Sequence, residues 1–182
     1  MKWLFSKTTD IAENEYQEIY NSLTESRKNH IDRMKNSDDR KRSLAAQYLL
    51  IKLLGEMGVE SAVLESDNNS RPYLKGSNLF VSISHSHEMV VCAVDSVPIG
   101  IDIEKITPVS NSLIDYVCTD KEKEYVCKST QKPSFKRFFE VWTAKEAYIK
   151  KMGCGLKKAK ETDTLPLNKK IFIIEDYIIT IL

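Results

Sequence analysis

The chain has 182 residues, a formal net charge of +1, 29% charged residues and 42% hydrophobic residues, which is ordinary for a globular protein. This length suffices for one large domain or for two small lobes with a sizeable core. The nearly balanced charge argues against non-specific nucleic-acid binding through a strongly basic surface, although it leaves room for a local phosphate pocket.

The apolar runs, the cysteines and the histidines argue against a membrane-spanning protein, a protein with a signal peptide and a zinc-binding protein. No apolar stretch reaches the roughly 18 residues of a membrane span, and the first five residues turn polar too soon for a signal peptide. The cysteines form no C-x-x-C pair and the histidines have no paired ligand spacing, so a zinc site is not expected. We therefore expect a reduced, cytoplasmic protein without a membrane segment.

The first half of the chain predicts helices followed by strands. Residues 37–57 form the most apolar helix, with capping residues at its start and Gly55 and Gly58 near its end. Alternating or continuous apolar residues predict strands at 79–84, 89–94 and 99–105. Because short loops join these three strands, we expect them to be adjacent.

The second half predicts helices and a closing hairpin. Thr119 and Glu122 match the T-x-x-E capping box that opens a helix, and a long helix over 135–152 ends at Gly153. Strands at 170–174 and 177–182 follow. Since each half ends in a helix followed by an apolar strand pair, we predict two lobes, residues 1–96 and 97–182.

The strand at 99–105 carries an acidic pair. Isoleucines occupy one face, and Gly100, Asp102 and Glu104 occupy the other. The two carboxylates lie roughly 7 Å apart at their Cα atoms, and like charges this close favour a nearby cation. Oxygen ligands without Cys or His suit Mg²⁺. The pattern by itself also fits a solvent-facing acidic edge.

The long helix carries a second motif. Trp142, Glu146 and Lys150 lie at i, i+4 and i+8 and share one stripe. One interpretation is a Glu146–Lys150 surface pair that contributes a few tenths of a kcal/mol. The other is a carboxylate that serves as third metal ligand or general base, beside a lysine that holds phosphate charge.

Together, I-G-I-D-I-E-K at 99–105 and W-x-x-K-E-x-x-x-K at 142–150 resemble the 4′-phosphopantetheinyl transferase superfamily, and within it the two-lobed, surfactin-synthetase-activating type. Ser82–Ser86 (S-I-S-H-S), Arg71-Pro72 and Gly153-x-Gly155-Leu156 support the resemblance, which covers roughly residues 24–156. It implies an α+β fold of two pseudo-symmetric α/β lobes, each a small, mainly antiparallel sheet packed on a long helix.

The resemblance also implies an activity. Members transfer the 4′-phosphopantetheine arm of coenzyme A to a serine of an acyl, peptidyl or polyketide carrier protein and release adenosine 3′,5′-bisphosphate. The implied cofactor is Mg²⁺, with Mn²⁺ as the alternative ion. The N-terminal lobe would hold the adenine and 3′-phosphate, the C-terminal lobe the metal and catalytic helix, with the active site at the junction. A monomer with pseudo-twofold symmetry is implied, without nucleic-acid or membrane partners.

Residue roles follow from the same resemblance. Asp102, Glu104 and Glu146 match the acidic metal ligands; Glu146, or a water that it holds, matches the base for the serine, and Lys150 matches the lysine at the pyrophosphate. The catalytic set is Asp102, Glu146 and Lys150. The coenzyme A contacts are Arg27, Arg42, Ser43, Arg71, Pro72, Ser84, His85, Lys145 and Lys150. Arg71 replaces the family's usual lysine and presents a fork of donors instead of a point charge.

Three alternatives stay open. His85 at a strand end also fits a purely structural histidine. A Mg²⁺-dependent nuclease or phosphohydrolase of the D…E-x-K type is disfavoured because Lys105 directly follows Glu104 and so points to the opposite strand face. A non-catalytic module that only binds a carrier protein is disfavoured by the intact acidic trio.

Overall fold

A computed structural model describes residues 1–59, 62–67, 71–128, 133–154 and 161–182. These residues form a mixed α+β protein with small antiparallel sheets, and they divide into two compact units, 1–98 and 99–182. No helix in the described ranges is long and apolar enough to cross a membrane. Gly155 and Leu156 of the predicted glycine motif lie outside these ranges.

The first unit combines a three-stranded sheet with a long helix. Its elements are β1 (Lys2–Lys7), α1 (Glu13–Ser22), α2 (Glu25–Asp32), α3 (Ser37–Glu56), β2 (Val63–Ser66), β3 (Pro72–Lys75), β4 (Phe80–Ser86) and β5 (Met89–Asp95). The antiparallel sheet has the order β1-β5-β4, and β2 pairs with β3.

The helix α3 forms the centre of this unit, as its apolar sequence predicts. The Asn36 side chain accepts a hydrogen bond from the Asp38 N–H at 2.8 Å and caps the helix. Leu50 and Leu53 are fully buried in the cluster that also contains the sheet residue Val90. Gly58, with φ of 69°, follows the helix end and takes the left-handed conformation that glycine favours.

The second unit repeats this plan. Its elements are β6 (Ile101–Lys105), α4 (Asn111–Val117), α5 (Asp120–Val126), α6 (Phe135–Met152), β7 (Lys170–Ile174) and β8 (Tyr177–Ile181). The antiparallel sheet has the order β6-β8-β7, and α6 packs against β6 and β8. Phe138 and Phe139 of α6 share one core cluster with Ile178 of β8.

The expectation that three consecutive strands are adjacent is wrong for the third one. β4 and β5 pair, but β6 belongs to the other sheet and pairs with β8. The Gly100 N–H donates to the Leu182 carbonyl at 3.0 Å, and the Leu182 N–H donates to the Gly100 carbonyl at 2.9 Å. The hydrogen-bonding groups at the start of β6 are therefore used by the end of the chain and not by β5.

Gly100 also brings β6 unusually close to α6. A Cβ built on Gly100 would lie 1.9 Å from the carbonyl oxygen of Ala147 and 2.9 Å from the backbone nitrogen of Lys151. Only glycine permits two backbones to approach this closely. The strand that carries the acidic pair is thus held directly against the helix that carries the second motif.

We predict that Gly100→Ala lowers the free energy of unfolding by about 3 kcal/mol, because the added methyl group overlaps a backbone carbonyl that cannot rotate away. Gly55→Ala is the matched control: a Cβ there meets nothing within 4 Å, and alanine favours a helix by about 1 kcal/mol. Urea unfolding followed by circular dichroism measures both. Equal effects of the two substitutions would contradict the close packing at Gly100.

Candidate active site

The acidic pair lies on the face of its sheet that packs against α6. Asp102 is 3% exposed and Glu104 is half-buried. Their direct partners on β8 are Thr180 and Ile178, and opposite residues of an antiparallel pair share one face. Ile178 belongs to the core cluster formed with α6, so Asp102 and Glu104 lie on the helix side of the sheet.

Two side chains of α6 bind this acidic pair. The Lys150 ammonium lies 2.7 Å from Asp102 Oδ1, and Trp142 Nε1–H donates to Glu104 Oε1 at 3.3 Å. Lys150 and Trp142 are eight residues apart, so they attach the helix to the strand at two points about 12 Å apart along its axis. The predicted stripe on the helix therefore faces the predicted acidic pair on the strand.

Glu146 lies on α6 between these two contacts and is half-buried. Burial raises the pKa of its carboxyl group, the charge of Asp102 raises it further, Lys150 lowers it and Glu104 raises it. Three carboxyl groups and one ammonium thus act on one another at this place. The local excess of negative charge favours an additional cation.

The carboxylate groups at this place are of the type that binds Mg²⁺, although they are not arranged as a complete coordination site. Carboxylate oxygens are the ligands that this ion prefers, and the Lys150 ammonium already shows that Asp102 attracts a cation. Within the described part of the chain, however, no three His, Cys, Asp or Glu side chains are grouped so as to hold a metal ion. Binding an ion through Asp102, Glu104 and Glu146 would therefore require these side chains to rearrange.

The first unit brings together two of the predicted coenzyme A contacts. Arg27 Nη2 donates to Ser43 Oγ at 2.9 Å, while the buried Arg27 Nε has no hydrogen-bond partner among the described residues. Burial lowers the pKa of the Arg27 guanidinium. A cavity of about 250 Å³ lies beside it, and its lining residues are Thr24, Ser26, Arg27, His30, Leu64, Glu65 and Ser66.

Arg42 is held by neighbours of its own. Its Nη1 donates to the His87 carbonyl at 3.2 Å, and its Nη2 pairs with Asp39. These contacts connect the start of α3 to the turn between β4 and β5. The Arg42 side chain therefore already binds backbone and carboxylate oxygens, which an incoming phosphate would have to replace or join.

The remaining predicted contacts are spread over β3, β4 and the segment before β3. Arg71 is exposed, and its backbone N–H donates to Asp67 Oδ1 at 2.8 Å. Pro72 begins β3. Ser84 is buried and His85 is exposed on β4, and consecutive strand residues point to opposite faces. Ser84 and His85 consequently cannot approach one ligand from the same sheet face.

Comparison with known proteins identifies the family. The sequence model of the 4′-phosphopantetheinyl transferase superfamily matches residues 98–176. The chain is 32% identical over 164 residues to the 4′-phosphopantetheinyl transferase HetI of Nostoc sp., a match that covers 85% of this chain and 69% of that protein. The chain belongs to the 4′-phosphopantetheinyl transferase superfamily.

Two further relatives agree with this assignment. The 4′-phosphopantetheinyl transferase gsp of Aneurinibacillus migulanus is 28% identical over 160 residues, which covers 86% of this chain and 67% of that protein. The 4′-phosphopantetheinyl transferase Sfp of Bacillus subtilis is 39% identical over 75 residues, which covers 41% and 34%. The predicted superfamily, its surfactin-synthetase-activating type and the α+β fold class are confirmed. The chain spans about two thirds of the length of HetI and gsp.

In this 4′-phosphopantetheinyl transferase superfamily member, Lys145 lies in a second network. Its side chain is buried, its ammonium lies 2.9 Å from Glu122 Oε2, and it donates to the Thr162 carbonyl at 2.8 Å. Glu122 Oε1 accepts from the N–H and the hydroxyl of Thr164 at 2.9 and 2.6 Å. The Lys145 ammonium therefore connects α6 to α5 and to residues 162–164.

Glu122 is a residue whose second role the sequence motif did not reveal. The predicted capping box is confirmed, since the Thr119 N–H donates to Glu122 Oε2 at 2.8 Å. The same fully buried carboxylate also binds Lys145 and Thr164. Burial would raise its pKa, but hydrogen bonds from Thr164, Lys145 and the Thr119 backbone outweigh burial and lower it.

We predict that Glu122→Gln lowers the free energy of unfolding by about 3 kcal/mol at pH 7, because it leaves a buried ammonium without its anion. The folded-state pKa of Glu122 is below the unfolded value, so its stabilisation is present above the unfolded pKa and is lost as the pH falls through the folded pKa. The stability difference between wild type and variant should therefore shrink below about pH 4.5.

Denaturant unfolding at pH 7, 5 and 3.5 measures this dependence. Glu124→Gln is the matched control, because Glu124 lies on the same helix and is exposed; we expect a change within about 0.5 kcal/mol at each pH. A pH-independent deficit for Glu122→Gln would show that the carboxylate is not the stabilising species.

Proposed function

We propose that this protein transfers the 4′-phosphopantetheine arm of coenzyme A to a serine of an acyl, peptidyl or polyketide carrier protein and releases adenosine 3′,5′-bisphosphate. The observation that carries the proposal is the contact of Asp102 and Glu104 with Lys150 and Trp142 of α6. HetI, gsp and Sfp are named 4′-phosphopantetheinyl transferases, which supports it.

The acidic trio would hold the cofactor in this proposal. Asp102, Glu104 and Glu146 would bind Mg²⁺, or Mn²⁺ in its place; the bound ion would polarise phosphoryl oxygens and neutralise the leaving phosphate. Trp142 restrains Glu104 by donating to its carboxylate. This restraint reduces the number of conformations that Glu104 would lose when it binds the ion.

Lys150 and Glu146 would act on the substrates. Lys150 carries an ammonium that can bind the pyrophosphate oxygens of coenzyme A, and its contact with Asp102 keeps it at the acidic site. Glu146, or a water that it holds, would accept the proton of the attacking serine hydroxyl. Attack on phosphorus depends on placement and charge neutralisation more than on covalent help, so these two roles suffice.

The first lobe, predicted as residues 1–96, would bind the 3′-phosphate and adenine of coenzyme A. Arg27 and Ser43 already contact each other beside a cavity, and the buried Arg27 Nε can donate to an entering phosphate oxygen. Arg42, Arg71, Pro72 and His85 are proposed as further contacts, whereas the buried Ser84 lies on the opposite sheet face from His85 and would not contact the ligand from the same side. For Lys145 the buried pairing with Glu122 favours support of α6 over contact with coenzyme A.

The second lobe, predicted as residues 97–182, would contain the metal ligands and the catalytic helix. We expect a monomer that acts in the cytoplasm on coenzyme A and a carrier protein, without a nucleic-acid or membrane partner.

We predict that incubation with coenzyme A, Mg²⁺ and an apo carrier protein adds the mass of phosphopantetheine to the carrier, as measured by intact-protein mass spectrometry. Asp102→Asn should slow transfer by at least about 100-fold, because it removes one of the carboxylates that would hold the ion that neutralises the reacting phosphate. Asp176→Asn is the control. Asp176 Oδ2 lies 3.4 Å from the ammonium of Lys105, which is on the same strand as Asp102, but Asp176 is not one of the three proposed metal ligands.

Three outcomes would contradict the proposal. Full transfer by a folded Asp102→Asn variant would remove Asp102 from the site. Nicking of plasmid DNA without transfer would favour the nuclease. Carrier binding with neither reaction would favour a non-catalytic module.

We predict that Arg27→Gln raises the KM for coenzyme A by about tenfold and leaves the KM for 3′-dephospho-coenzyme A nearly unchanged, because a charge-assisted hydrogen bond to the 3′-phosphate is lost. Arg33→Gln is the control, since Arg33 is the exposed residue at the end of the same helix. Steady-state kinetics measure the KM for both substrates in these variants and in Arg71→Ala. If substitution of Arg27 or of Arg71 changes the KM for the two substrates equally, that arginine does not contact the 3′-phosphate.

A further inference from the structure

Thr180 is a buried polar residue that none of the sequence motifs marks. It lies on β8, is 0% exposed, and is the direct partner of Asp102 in the antiparallel ladder. Its side chain therefore lies beside that of Asp102, with Cβ atoms about 5 Å apart, on the sheet face that packs against α6. A buried hydroxyl requires a hydrogen-bond partner.

The partner is a second buried hydroxyl on α6. Thr143 Oγ1 lies 2.7 Å from Thr180 Oγ1 and 2.7 Å from the Phe139 carbonyl. A carbonyl only accepts, so the single Thr143 proton goes to Phe139, and the Thr180 hydroxyl must donate to Thr143. This gives a hydrogen-bonded chain with one direction, from the strand to the helix.

This hydrogen-bonded pair and the backbone contact at Gly100 both hold α6 against the sheet close to Glu146. Thr143 lies three residues before Glu146 on the same helix face, and Ala147, which meets Gly100, directly follows Glu146. The backbone contact at Gly100 limits how closely β6 and α6 approach. The hydrogen bond between Thr180 and Thr143 also constrains the rotation of α6 about its axis and its distance from the sheet.

We infer that Thr180 is a positioning residue for the reaction: through Thr143 it sets the register of α6 against β6, and thereby places Glu146 and Lys150 relative to Asp102. The inference rests on the proposed transferase function. Thr180 does not itself touch a substrate. Its effect should appear in the rate of the chemical step, because misplacement by about 1 Å can cost up to about 100-fold in rate.

Two substitutions at Thr180 separate the hydroxyl from the volume of the side chain. Thr180→Val keeps the shape and removes the donor, whereas Thr180→Ser keeps the donor. We expect Thr180→Val to lower kcat by about tenfold or more with the KM for coenzyme A within about twofold, and Thr180→Ser to recover most of the rate.

Ile178→Val provides the control for stability. Ile178 is fully buried on the same face of the same strand and packs in the α6 core cluster, but it has no hydroxyl. Its truncation removes one buried methylene. We expect it to lower the unfolding temperature without lowering kcat.

A spectroscopic readout makes the test independent of activity. The chain has two tryptophans, Trp3 and Trp142, so in a Trp3→Phe background the emission reports only on Trp142, which binds Glu104 of β6. Thr180→Val should shift this emission, while Thr180→Ser and Ile178→Val should leave it at the wild-type wavelength.

The outcomes distinguish a failure of the positioning role of Thr180 from a failure of the proposed transferase function. A Thr180→Val variant with wild-type kcat and emission, or one that matches Ile178→Val in both, would overturn the positioning role. If the wild-type protein transfers nothing to any carrier, the proposed function fails; an emission shift specific to Thr180→Val would then still support the helix register, and its absence would overturn that as well.

Discussion

The direct contact of β6 with α6 is the constraint on which the candidate active site depends. Gly100 has no side chain, so the strand backbone reaches the carbonyl of Ala147. Two residues further along the strand, the nearly buried Asp102 meets the Lys150 ammonium from the next turn of the helix. A larger residue in place of Gly100 would move the strand away from the helix and would separate this ion pair.

Carboxyl groups outnumber ammonium groups at this contact, and this imbalance determines the chemistry that the site can support. Asp102, Glu104 and Glu146 contribute three carboxyl groups, whereas Lys150 contributes one ammonium. Burial is the largest cause of the raised pKa of Glu146, and the charges of Asp102 and Glu104 raise it further; only this second contribution reflects the deficit of positive charge. A surface pair with balanced charges, the simpler interpretation of Glu146 and Lys150, would not produce this effect.

Patterns among neighbouring residues predicted the helices and the acidic pair on β6. They did not predict which element each strand or side chain would contact. The long helix was expected over 135–152 and is found at Phe135–Met152, because the residues that cap its two ends, Ser134 and Gly153, directly flank it in the sequence. The partner of β6 was missed because alternation identifies a strand without identifying its neighbour. Lys145 shares a motif with Glu146, but consecutive helical residues differ by about 100° in direction, so it reaches Glu122 instead.

The buried Glu122–Lys145 pair gives α6 a preferred rotation. A buried ion pair often contributes little net stability compared with apolar residues of the same volume, yet removing one partner is costly. Any rotation that exposed Lys145 or moved it away from Glu122 would incur that cost. The rotation that satisfies Lys145 is also the one in which Trp142 and Lys150 reach Glu104 and Asp102. The pair thus selects, among the ways of packing this helix, the one that assembles the acidic site.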